Sequence, residues 1–75
     1  MGAQQEIENL VRRHRRLAEI TQQELAERVG VTRQTILSIE KGDYTPSVAL
    51  ALKLAAAFSM RVEDLFLLRK GKNDE

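Results

Sequence analysis

Thr21 and Thr32 open two helices only eleven residues apart, with a glycine stop between them, and this spacing constrains the chain more than any other feature. Thr21-Gln-Gln-Glu24 is a capping box, in which the threonine hydroxyl and the glutamate carboxylate satisfy each other's exposed backbone donors. The helix it starts carries Leu25, Ala26 and Val29 inward and stops at Gly30, the residue best suited to a left-handed helix end. Val31 alone separates that stop from Thr32, which caps a further helix with Ile36 and Ile39 on one face and Lys41-Gly42 at its end.

Two short capped helices, a glycine-containing turn and the small Ala26 where backbones approach closely make the helix-turn-helix supersecondary signature. Upstream, Asn9 is a candidate N-cap for a helix over Leu10–Ala18 whose inward stripe is Leu10, Val11, His14 and Leu17. Downstream, Pro46 forces an extended Thr45, and Ser47 caps a fourth helix, Val48–Phe58. That helix is apolar nearly all round, with Lys53 its only charge, and so is expected to be central and buried. A last short helical turn, Val62–Leu65, runs into Phe66-Leu-Leu68, and a polar tail from Arg69 to Glu75 is expected to fray. The only aromatic residues are Tyr44, Phe58 and Phe66, so the core must come from aliphatic residues, which favours packed helices. A chain of 75 residues holds one such core. The expected division is an N-terminal segment at 1–8, a helical domain at 9–66 and a C-terminal segment at 67–75.

Composition removes several function classes. The chain has no cysteine and a single histidine, His14, so a thiolate metal site, a disulfide framework and a two-histidine metal site are excluded. No nucleophile and base can be assembled convincingly, and neither an enzyme nor a cofactor is expected. No apolar run approaches a membrane span and the start is too polar for a signal peptide, so the expected location is cytoplasmic. A net charge of +1 does not announce nucleic-acid binding in bulk, but Arg12, Arg13, Arg15 and Arg16 cluster early in the chain. A basic face is one reading of such a run, and a solvated helix surface is the default.

Thr21–Ala26, Gly30–Ile36, Ile39–Gly42, Pro46-Ser47 and Val62–Phe66, in this order and with these spacers, resemble the Xre/Cro-like helix-turn-helix regulators, most closely the short stand-alone members. The resemblance covers nearly the whole chain. It implies an all-α, five-helix, lambda-repressor-like domain with a small terminal two-stranded β element, and double-stranded DNA as the partner. The third helix then lies in the major groove, where base pairs display distinct donor and acceptor patterns. With Ile36 and Ile39 inward, Arg33, Gln34, Leu37 and Ser38 face away, and arginine and glutamine suit guanine and adenine edges. Gln22 matches a family position that grips the DNA backbone; Thr21, Thr32, Thr35, Lys41, Tyr44 and Thr45 are further backbone candidates. Arg15 and Glu40 match a family ion pair that clamps the first helix to the third.

Several residues admit two roles or depart from the pattern. Thr21 is mainly a cap, Leu37 either packs on the core edge or touches a thymine methyl, and Tyr44 packs over the third and fourth helices. His14 stands where relatives usually have leucine and reads as a half-buried, satisfied side chain. Glu19 and Ser59 replace helix-ending glycines, and Arg61 replaces a hydroxyl cap.

The function expected is a sequence-specific transcriptional regulator, most simply a repressor. An antitoxin or restriction-modification controller of the same fold is the alternative, and a helical interaction module without DNA binding a third. Four successive apolar residues, Leu65, Phe66, Leu67 and Leu68, point to a homodimer on an inverted-repeat operator. In the short relatives' geometry a strand at Gln5–Glu8 pairs with Phe66–Arg69; a helix running through from residue 4 competes with it.

Overall fold

A computed structural model describes residues 7–69. In chain order the elements are β1 (Ile7–Asn9), α1 (Val11–Leu17), α2 (Gln22–Val29), α3 (Arg33–Lys41), α4 (Val48–Ala57), α5 (Val62–Leu65) and β2 (Phe66–Leu68). The architecture is the five-helix domain with a small terminal sheet.

Local chemistry sets the helix ends. The Thr21 hydroxyl accepts from the Glu24 amide at 3.0 Å, and the Glu24 carboxylate accepts from the Thr21 amide at 2.7 Å. Thr32 and Ser47 cap α3 and α4 in the same way, accepting from Thr35 and Leu50. Gly30 and Gly42 end α2 and α3 at φ 79° and 85°, where a side chain would be strained. Glu19 and Ser59 take the same left-handed form without being glycine, at φ 60° and 56°. The amides that follow them, Ile20 and Met60, bond back to the Arg15 and Ala55 carbonyls and satisfy the fraying ends. Arg61 supplies no side-chain cap to α5; instead it pairs with Asp64 at 3.3 Å.

The core is Val11, Leu25, Ala26, Val29, Ile36, Ile39, Leu50, Leu54, Ala55 and Leu65. Ala26, fully buried, lets α2 and α3 pack closely. His14 lies half-buried with its ring 6.3 Å from that of Phe58.

Three expectations are corrected. α4 is not buried all round: Leu50, Leu54 and Ala55 face the core, while Val48 and Leu52 are 78% and 55% exposed. A single small core has only one side of a helix to cover, and the alanines that raise the helix's apolar count are small enough to stand in solvent. Leu17 is 70% exposed rather than inward, because α1 ends there and only Val11 of its residues is fully buried. Leu65, taken as dimer surface, is completely buried, and its carbonyl accepts from the Leu10 amide at 2.9 Å. Of the two readings of the N-terminal segment, the strand is the one found: it spans Ile7–Asn9, and Gln5 and Glu6 of the expected range lie outside the described residues. It pairs with β2 within the same chain, antiparallel, with Ile7 opposite Leu68, Glu8 opposite Leu67 and Asn9 opposite Phe66.

Asn9 joins three parts of this frame. Its Oδ1 accepts from the Val11 amide at 3.1 Å, capping α1 from one residue before the helix boundary. Its Nδ2 donates to the Ile39 carbonyl at 2.9 Å, fastening β1 to α3.

Candidate nucleic-acid interface

α3 is amphipathic, and the burial of Ile36 and Ile39 fixes which side it turns outward. Arg33 and Gln34 are exposed on that side, while Thr35, Leu37 and Ser38 are half-buried. Thr32, Gln34, Thr35, Ser38 and Tyr44 line one shallow groove, with the Thr32 and Thr35 hydroxyls 3.1 Å apart. Tyr44 therefore leans along α3 toward its outer surface, and 45% of it is exposed. Thr45 is exposed in the segment that follows.

A second cleft opens on the other flank of α3. Its walls are Arg12, Arg15 and Arg16 of α1, Gln22 of α2, and Leu37, Glu40 and Lys41 of α3. Leu37 thus borders an open cleft, which leaves its side chain in reach of a ligand. Beneath the cleft, Arg15 Nε donates to Glu40 Oε2 at 2.7 Å and Arg15 Nη2 to Glu40 Oε1 at 3.2 Å, with 12% and 4% of the two side chains exposed. Arg15 Nη1 also donates to the Ile20 carbonyl at 3.1 Å. The pair is bidentate and almost fully buried, so it fixes the spacing of α1 and α3.

Gln22 extends this pair into a chain of hydrogen bonds. Its Nε2 donates to Glu40 Oε1 at 3.1 Å, and its Oε1 accepts from Arg33 Nη1 at 3.3 Å. Arg15, Glu40, Gln22 and Arg33 are so linked across α1, α3 and α2, from a buried anchor to the exposed first residue of α3. Among the described residues Lys41 makes one ion pair, with Asp43 at 3.7 Å, and both side chains are more than half exposed.

This geometry has a family. The helix-turn-helix family model matches residues 11–65, a span that takes in all five helices. The chain belongs to the helix-turn-helix family of Xre/Cro-type transcriptional regulators. An uncharacterized HTH-type transcriptional regulator of Methanothermobacter thermautotrophicus is 55% identical over 60 residues, covering 79% of this chain and 87% of its own. Among solved structures, the restriction-modification controller protein C.AhdI from Aeromonas hydrophila matches with a TM-score of 0.68 and 28% identity over 72% of this chain and 78% of its own. The hypothetical transcription factor NHTF from Neisseria matches with a TM-score of 0.70 and 26% identity, over 77% and 67% of the two chains.

For this helix-turn-helix regulator, two features of the interface were not foreseen from sequence. The Gln22 bridge to Glu40 and Arg33 depends on how α2 crosses α3, which local patterning does not specify. Arg12 and Arg16 share a face of α1 beside α3, and their spacing of four residues was the available signal. Neither makes an ion pair among the described residues. No helix among those residues is long and apolar enough to cross a membrane.

Proposed function

We propose that this regulator is a repressor which binds an inverted-repeat operator as a homodimer, with α3 of each protomer in the major groove. The observation that carries the proposal is the outer face of α3: Arg33 stands exposed but is steadied by Gln22, beside the exposed Gln34. Arginine presents paired donors to the acceptors of a guanine edge, and glutamine a donor and an acceptor to an adenine edge. Arg33, Gln34, Leu37 and Ser38 read bases in this proposal. Thr21, Gln22, Thr32, Thr35, Lys41, Tyr44 and Thr45 hold the backbone and set register.

Dimerisation is supported by the terminal sheet. Ile7 and Leu68 are opposite one another in the pairing and are 39% and 82% exposed, with Leu67 36% exposed beside them. A second copy covering these side chains brings two α3 helices to successive major grooves, roughly 34 Å apart.

Selection of bound sites from random duplex DNA at two salt concentrations tests the whole reading. An inverted repeat with strong base preferences is expected; a monomer that retains no preferred sequence removes it. The likeness to a restriction-modification controller favours a second reading, in which the same DNA binding serves a neighbouring restriction system. A restriction and methylation gene pair beside the coding sequence distinguishes it.

A further inference from the structure

The cleft between α1 and α3 collects more positive charge than its structural role uses. Glu40, the acid at its floor, already accepts three hydrogen bonds, two from Arg15 and one from Gln22, and is 4% exposed. That leaves Arg12 and Arg16 on the wall of the cleft, exposed and without an ion pair among the described residues. Lys41 faces them across it. Lys41 has Asp43 beside it at 3.7 Å, but holding Arg12 and Arg16 together with no counter-charge among the described residues is unfavourable, and an anion entering the cleft relieves it.

We infer that Arg12 and Arg16 of α1, with Lys41 of α3, clamp the DNA sugar-phosphate backbone at the rim of the groove that α3 enters. The inference rests on the DNA-binding reading above, which already includes Lys41, and adds Arg12 and Arg16 to it. Groove width decides that phosphate is the ligand. The major groove is about 12 Å wide and an α-helix with its side chains about 10–12 Å across, so α3 fills it. A side chain on the neighbouring helix meets the groove's wall, which is phosphate, and a guanidinium holds phosphate by two parallel hydrogen bonds. The clamp lies beside Leu37 and Lys41, in the second half of α3, whereas Arg33 and Gln34 occupy its first turn. Such contacts fix how deeply and at what tilt the helix sits.

The test is a salt titration of binding to the selected site. It compares wild type with the pair Arg12→Gln, Arg16→Gln, the charge-keeping pair Arg12→Lys, Arg16→Lys, and a charge-matched pair away from the cleft, Lys53→Gln, Arg61→Gln. Loss of two phosphate contacts makes the slope of log affinity against log salt shallower by about 2 for the first pair alone. Over a fourfold rise in salt, wild-type affinity then falls about tenfold further than that of this variant. The lysine pair and the distant pair keep slopes near wild type, and base preferences stay the same in all three. A glutamine pair with the wild-type slope overturns the clamp and leaves the DNA-binding reading intact. An equal flattening in the distant pair, or altered base preference in the glutamine pair, overturns it too. A wild type that binds no duplex brings down both readings.

Discussion

The carboxylate of Glu40 is nearly sealed from water and accepts from Arg15 and Gln22. Removing it strands a buried guanidinium, so Glu40→Ala is expected to lower stability by about 3–5 kcal/mol. For a domain this small that moves Tm down by more than about 10 °C, which a thermal melt followed by circular dichroism reads directly. A melt within a few degrees of wild type removes the pair as the tie between α1 and α3. Arg33 stands at the other end of the same chain of contacts, with Gln34 next to it in sequence, both exposed and unneeded for packing. Arg33→Ala and Gln34→Ala should each weaken operator binding by about 1–3 kcal/mol and relax preference at particular base pairs, with circular dichroism unchanged. Variants that bind the selected site as tightly as wild type displace these residues from base reading. Glu19 and Ser59 were visible as local costs: each stands where the backbone turns left-handed, at φ 60° and 56°. Glu19→Gly and Ser59→Gly are accordingly expected to stabilise the fold by about 1 kcal/mol each, since a side chain there crowds its own carbonyl. A lower Tm in either variant contradicts that.

At the level of elements, caps and stops were legible because their chemistry is local. Thr21, Thr32 and Ser47 each bond an amide three residues on, and Gly30 and Gly42 each need only their own φ. The inward residues of α2 and α3 followed from period alone. Period misled at α4, where alanine and leucine on every side implied complete burial, because the amount of surrounding protein is a property of the whole chain. The same limit applied to Leu17, whose spacing is right but whose helix stops too soon to be covered. The link from Asn9 to Ile39 lay beyond sequence reading, since thirty residues separate them. At this scale the expectation concerns backbone contacts. Lys41→Ala should weaken specific and nonspecific DNA binding together, spare base preference and flatten the salt slope by about 1, whereas Gln22→Ala, which also releases Arg33, should weaken both and relax preference at the base pair that Arg33 reads. A changed set of preferred bases in the lysine variant refutes that division, and competition with random duplex measures it.

For the molecule as a whole, the exposed Ile7 and Leu68 predict association through the terminal sheet. Sedimentation equilibrium at micromolar concentration should find a dimer for wild type and a folded monomer with weaker binding for Leu68→Asp. A wild type that stays monomeric, free and on its site, refutes it. The sheet also has a consequence in time. Ile7 and Leu68 are sixty-one residues apart in the chain, whereas α2 and α3 meet across a single turn. Closing so long a loop costs entropy that three pairs of residues, the Leu10–Leu65 bond and the Asn9–Ile39 bond must return, so the sheet forms after the helices and opens before them. In amide hydrogen exchange, residues 7–9 and 66–68 should therefore lose protection sooner than the core of α2 and α3. During such an opening the helix-turn-helix unit stays folded while the surface offered to a second copy does not, so association would depend on the least persistent part of the fold.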